Sequence, residues 1–243
     1  MSADPRLALS FGRVAELYDR VRPDYSQQSL DRAQEVLELG PDSCVIDLAA
    51  GTGRLTHELV KRFARVIAVE PDNAMRSLIA DGEAVVGTAE SIPLADASAD
   101  AVFVGEAFHW FDAPAAVREI ARVLRPRGGL MLIGNQWWHT DPPLPERALE
   151  LLRAPYVRSG RDDAVETWPD AFRGSPFEPL REETFASEVR VDAYRLLDMY
   201  ATTSSLAALP EHEREALVAE VRPLLAGSYR LPIRVELTWT RLA

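Results

Sequence analysis

Two periodicities divide this 243-residue chain. Phe11, Val14, Ala15, Tyr18 and Val21 recur at helical spacing, which predicts an amphipathic helix from about Leu9 to Arg22-Pro23, where proline stops it. Residues 30–39 read as a second helix closed by Gly40-Pro41. Short apolar runs follow at 44–48, 66–69, 84–86, 101–104 and 130–133, each a candidate buried strand. Between them lie helical patterns at 56–63 and 73–79. A third carries Val117, Ile120, Ala121 and Leu124 on one face, with Asp112 as N-cap and Pro114 in its first turn; Pro126-Arg127-Gly128-Gly129 ends it. Strands alternating with helices predict βαβ units and a parallel sheet covered on both faces.

The last third changes character. Residues 142–177 are proline-rich, with a helical pattern at 146–152, and read as an insertion or cap rather than a free linker. Residues 183–191 and 235–241 alternate as strands, and 193–200 and 211–221 read as helices. The two late strands complete the sheet, so one domain is favoured over two. The expected division is an N-terminal helical lid at 1–40, a ligand-binding core at 41–136, a cap insertion at 137–181 and closing strands and helices at 182–243.

The chemistry concentrates at two strand ends. The first apolar run ends in Asp47, followed by the small-residue turn Ala49-Ala50-Gly51-Thr52-Gly53 and then a helix. The second ends in Glu70-Pro71. Gly51 and Gly53 let the backbone turn sharply and approach a ligand, at the switch point where open α/β sheets bind nucleosides. A dinucleotide fingerprint requires Gly or Ala where Thr56 stands. A carboxylate at Asp47 would also repel a pyrophosphate, whereas it attracts a ligand bearing an amino or sulfonium cation. Glu70 is placed to accept the hydroxyls of a ribose. These features favour S-adenosylmethionine over NAD in a Rossmann-like fold: α/β, seven-stranded and mostly parallel, with an N-terminal helical lid and a cap insertion after strand 5.

Composition narrows the partners. The net charge of −11 argues against a nucleic-acid surface. One cysteine, Cys44, permits no intrachain disulfide and fits a reducing compartment. No apolar run approaches the roughly 20 residues of a membrane span, and no apolar signal core opens the chain, so a cytoplasmic location is expected. The scattered His57, His109, His139 and His212 make no metal-ligand spacing, so no metal is expected. His57 and His212 read as structural and solvated, respectively. A small-molecule acceptor is the expected partner, with neither nucleic acid nor membrane, and the chain is expected as a monomer or homodimer.

On these motifs the sequence resembles the class I S-adenosylmethionine-dependent methyltransferases, in particular their small-molecule type 11 branch. The resemblance covers roughly residues 11–133. Residues 47–53 are similar to the family's first motif, with Ala49 where glycine is common. Glu70, with Pro71, matches the acidic ribose ligand. Residues 87–93 match the adenine-side loop: the resemblance places Thr88, Ala89 and Glu90 beside the cofactor, the Ala89 backbone meeting the adenine, with Thr88 replacing a frequent aspartate. Residues 105–112, Gly-Glu-Ala-Phe-His-Trp-Phe-Asp, resemble a subgroup that includes trans-aconitate methyltransferase-like enzymes, as do Tyr18 and Arg22-Pro23-Asp24-Tyr25. This implies cofactor contacts for Glu106, Tyr18 and Arg22.

Methyl transfer needs alignment and exclusion of water, and a general base only if the acceptor must lose a proton. His109 is the candidate base; the alternative is a packed ring that orients a loop or the cofactor. Trp110 with Phe111, and Trp137 with Trp138 and His139, are either acceptor-pocket wall or packing. Tyr18 and Tyr25 either close over the ligands or simply pack. Arg22 pairs with the cofactor carboxylate or a substrate acid, or lies on the surface. The resemblance tilts the product toward O-methylation of a carboxylate or hydroxyl. An NAD-dependent oxidoreductase and a non-catalytic S-adenosylmethionine-binding protein on the same scaffold stay open.

Overall fold

The computed structural model describes residues 11–137, 144–158 and 168–243. Its centre is a seven-stranded sheet in the order β3-β2-β1-β4-β5-β7-β6. The first five strands, β1 (Cys44–Leu48), β2 (Arg65–Val69), β3 (Glu83–Val85), β4 (Ala99–Gly105) and β5 (Leu124–Gln136), pair in parallel. β7 (Ser228–Arg241) inserts antiparallel between β5 and the edge strand β6 (Arg181–Asp192). Side-chain alternation sorts the central strands onto two cores. Ile46, Ile67, Val102 and Leu130 face one side, against Ala116, Val117 and Ile120; Val45, Val66, Phe103 and Met131 face the other, against Leu30, Leu55 and Leu59. A third core joins Val21, Trp137, Leu196, Tyr200 and the N-terminal half of β7.

The helices are α1 (Ala15–Val21), α2 (Gln27–Val36), α3 (Arg54–Leu59), α4 (Asn73–Arg76), α5 (Ala113–Val123), α6 (Glu146–Arg158), α7 (Ala193–Ala201), α8 (Ser204–Ala207) and α9 (Glu211–Val221). Local chemistry sets several boundaries. Asp112 caps α5 by accepting the Ala115 N–H at 3.2 Å, as its sequence predicts. Ser26 caps α2 by accepting the Ser29 N–H at 3.1 Å, so this helix begins three residues before the expected start and ends before 39. α1 is preceded by a 3-10 turn at Phe11–Val14 rather than one continuous helix, and the expected start at Leu9 lies outside the described residues. α3 starts earlier and stops sooner than the pattern at 56–63, and α4 is shorter than 73–79. The segment 126–129, expected to end the helix, is a bulge within β5: Leu124 pairs with Ala99 while Gly129 pairs with Ala101, and Arg127 takes a left-handed φ of 66°.

Parallel pairing puts the carboxyl ends of β1, β2, β4 and β5 on one edge. Among the described residues, no helix is long and apolar enough to cross a membrane, and no cluster of His, Cys, Asp or Glu could hold a metal.

Candidate active site

The strand tips line a cavity of about 60 Å³. Its floor is Asp47, Ala49, Gly51 and Thr52 from the end of β1, with Gly105 and Glu106 from β4 and Asn135 from β5; Tyr18, Arg22 and Tyr25 reach it from α1 and its exit, beside Trp137. Two non-glycine residues with left-handed backbone stand at adjacent strand ends, Ala49 (φ 58°) and Glu106 (φ 58°). Such conformations cost of order 1–3 kcal/mol each and cluster at functional sites. Gly51 (φ 59°) and Gly53 (φ 85°) adopt this region without a Cβ penalty, which is what lets the turn close.

Asp47 is 1% exposed. Its Oδ2 accepts the Thr56 hydroxyl at 2.6 Å, and its Oδ1 has no hydrogen-bond partner among the described residues. Burial pushes its carboxyl up to about 7, against the lowering effect of the Thr56 bond. Thr56 therefore acquires a purpose: the glycine or alanine of a dinucleotide fingerprint would remove the hydroxyl that this acid accepts. The Thr52 hydroxyl is likewise buried without a partner. Glu70 cross-links the turn by accepting the Gly51 N–H and the Asp72 N–H, both at 2.8 Å, and burial raises its carboxyl above the usual range. Glu106 accepts the backbone N–H of Asn135, joining the β4 and β5 tips.

The aromatic wall is equally fixed. Arg22 stacks over the rings of Tyr18 and Trp137, its carbon 4.8 and 5.3 Å from their centroids. It donates from Nε to the Thr202 hydroxyl at 2.9 Å and from Nη2 to the Thr202 carbonyl at 2.7 Å. Burial lowers the affinity of this guanidinium for its proton. A Cβ at Gly105 would collide with the Tyr25 hydroxyl, so glycine there makes room for that ring. Burial, then Glu106, Tyr18 and Asp47, hold the Tyr25 phenol protonated well above its ordinary range. Tyr18 is raised too, mainly by burial.

The structure thus gathers around one cavity Tyr18, Arg22, Asp47, Ala49, Gly51 and Glu106, expected at the cofactor, and Tyr25 and Trp137, expected at the acceptor. Other candidates do not line it. Gly53 starts α3. Pro71 offers its carbonyl to Arg76. Thr88 bridges to Ser91, Ala89 is buried in the core, and Glu90 accepts the Asp112 N–H at 3.0 Å. His109 stacks on Trp110 with centroids 4.8 Å apart, and Trp110 meets Phe11 edge-on. Trp138 and His139 lie outside the described residues. The sequence reading missed Thr52, Arg54, Gly105 and Asn135 as lining residues. Thr52 and Arg54 were within reach of the glycine-turn signal; Asn135 was not, since it lies beyond an ordinary apolar run.

Comparison with known proteins decides the family. Residues 46–132 match the family model for a methyltransferase domain. An uncharacterized methyltransferase of Mycobacterium tuberculosis is 36% identical over 230 residues, covering 90% of this chain and 87% of its own. The chain belongs to the class I S-adenosylmethionine-dependent methyltransferases. Half of the methyltransferase (51%) also aligns at 36% identity with 49% of the malonyl-[acyl-carrier protein] O-methyltransferase of Methylococcus capsulatus. The solved structure of a type II methyltransferase from Anaeromyxobacter dehalogenans shares the fold at a TM-score of 0.63 and 22% identity, covering 91% of this chain and 98% of that one.

The residues present fit the cofactor this family uses. A buried carboxylate lacking a partner on one oxygen is costly, and the ammonium of a bound amino-acid group would supply that partner at Asp47. Gly51 leaves open backbone beside it, with only Met75 near the position of a Cβ.

Proposed function

We propose that this methyltransferase transfers a methyl group from S-adenosylmethionine to an oxygen of a small molecule, a carboxylate or a hydroxyl. The observation that carries the reading is the buried, half-partnered Asp47 at the β1 tip, which selects a cationic amino-acid-bearing cofactor over a pyrophosphate. Alignment with a protein named as an O-methyltransferase supports oxygen as the acceptor atom, and the 105–112 segment, similar to trans-aconitate methyltransferase-like enzymes, supports an acid. The cofactor, when bound, supplies a methyl already activated by its sulfonium.

In this reading Asp47, Ala49, Gly51, Glu70 and Pro71 hold the amino-acid and ribose portions, and Thr88, Ala89 and Glu90 flank the adenine. Tyr18, Arg22, Glu106 and Trp137 bound the reacting centre, where they orient the acceptor and exclude water. A carboxylate acceptor requires no base. A hydroxyl acceptor requires one, and His109, stacked on Trp110, is the candidate.

The test is an acceptor screen that reads S-adenosylhomocysteine release across carboxylic acids, phenols, aliphatic alcohols and amines, followed by product analysis. Release with acids or alcohols, giving a product hydrolysed by base or an ether, is expected. Turnover confined to amines or carbon nucleophiles refutes the oxygen assignment. Tight NAD(H) binding with no S-adenosylhomocysteine binding refutes the cofactor.

A further inference from the structure

The 60 Å³ cavity is small for a nucleoside cofactor, since ligand pockets run to roughly 300–1,000 Å³. What narrows it is the segment from α1 to Tyr25, which brings Tyr18, Arg22, Pro23 and Tyr25 onto the strand tips. This segment is held from two sides. On the far side, Arg22 grips Thr202 at the end of α7, and Arg195 of α7 donates to the Val21 carbonyl at 3.3 Å. On the near side Arg54 makes two bonds, beside one long bond from Asn135 Nδ2 to the Asp24 carbonyl at 3.5 Å. Arg54, directly after Gly53 at the start of α3, donates from Nη1 to the Asp19 carbonyl and from Nη2 to the Asp24 carboxylate. The Asp19 carbonyl belongs to the last turn of α1, where backbone acceptors lack helical partners.

We propose that Arg54 is a positioning residue, a latch that ties the glycine turn to the α1–Tyr25 segment and must release for cofactor to enter or leave. This rests on the cofactor reading above. The geometry is graded for the task. The Arg54 side chain is 17% exposed, whereas that of Asp24 is 74% exposed. A contact with one solvent-facing partner is weak and easily broken, which suits a lid that opens and closes in each turnover. The α7 contacts hold Val21 and Arg22, between the two residues that Arg54 reaches, and keep the segment attached when the Arg54 contacts break. Because Arg54 adjoins Gly53, the latch senses the turn that carries the cofactor and the lid that carries Tyr18, Arg22 and Tyr25.

The experiment follows S-adenosylhomocysteine binding by stopped-flow tryptophan fluorescence, with Trp137 in the cavity wall as reporter. Asp24→Ala removes the exposed half of the latch without touching the cavity. It is expected to raise the association and dissociation rate constants together, each about fivefold or more, with the equilibrium constant changed by less. Arg54→Met is expected to do the same, and the double variant to match the faster single one. Raising the salt concentration is expected to speed dissociation in the wild type and not in Asp24→Ala. Unchanged rate constants in Asp24→Ala overturn the latch, and so does faster dissociation with slower association, the mark of a merely damaged site. Circular dichroism melting of Arg54→Met checks that it folds, and a failure there leaves Asp24→Ala to decide. Absence of S-adenosylhomocysteine binding by the wild-type chain overturns the cofactor reading itself, and the latch with it.

Discussion

Asp47→Asn separates what burial costs this carboxylate from what it contributes. Burial raises its carboxyl from the usual 3.8 to about 7. At 1.36 kcal/mol per pH unit, that gap amounts to at most about 4 kcal/mol of destabilisation when the group is fully ionised. The sign follows from proton counting. Between pH 4 and 7 the folded protein keeps the Asp47 proton and the unfolded chain has lost it, so this group's effect on stability worsens as pH rises. Roughly 2–3 kcal/mol of the penalty accrues between pH 5 and pH 8. Asparagine removes the titration while its carbonyl still accepts the Thr56 hydroxyl. The amide adds a cost of its own, the same at both pH values. Relative to wild type, the ligand-free variant is therefore expected to gain about 5–10 °C in melting temperature on going from pH 5 to pH 8. Calorimetry with S-adenosylhomocysteine supplies the second half. Wild-type affinity is expected to rise as pH increases through about 7, because Asp47 must shed its proton to face an ammonium. The variant is expected to bind about 10–100-fold more weakly with this pH dependence gone, the scale of one charge-assisted hydrogen bond. A variant whose melting shift is the same at pH 5 and pH 8, or whose affinity keeps the wild-type pH profile, refutes the reasoning.

Three further outcomes are expected. Gly105→Ala puts a Cβ against the Tyr25 hydroxyl and should cost about 1–3 kcal/mol in denaturant unfolding, with part recovered by adding Tyr25→Leu; no recovery would place the strain elsewhere. Thr202→Val removes the hydroxyl that accepts from Arg22 Nε and should lower the melting temperature by roughly 2–6 °C, the effect of about 1–1.5 kcal/mol, while leaving the Arg22 bond to the Thr202 carbonyl in place. His109→Ala should leave S-adenosylhomocysteine affinity within about twofold, since His109 does not line the cavity. With a hydroxyl acceptor it should also depress turnover below neutral-pH wild-type values, and unaltered turnover at saturating acceptor leaves His109 a packing residue.

The order of elements and the glycine turn were legible because they are local properties. Strand β1 was read to the residue, since an apolar run ending in an acid and a small-residue turn leaves little freedom in its bounds. The N-cap of α5 was legible because Asp112 and the amide it accepts lie three residues apart. Less local features were only partly legible. Glu70, expected as a ribose ligand, also braces the turn by accepting the Gly51 and Asp72 amides, which no local pattern reveals. His109 follows a strand tip in sequence, and the structure sets it in a 3-10 turn at Phe108–Trp110, outside the cavity lining.

By itself, then, the sequence determined the alternating α/β frame and the acid–turn–acid pattern at the tips of β1 and β2, because periodicity and turn chemistry act over a few residues. Tertiary structure alone decided which distant groups meet: Arg22 with Thr202, 180 positions on, Arg54 with Asp24, and Tyr25 against Gly105. The physical reason is that the pairing order of a sheet, here with β7 inserted between β5 and β6, is settled by burial of whole faces. No short stretch of chain encodes that burial, and the cavity depends on it.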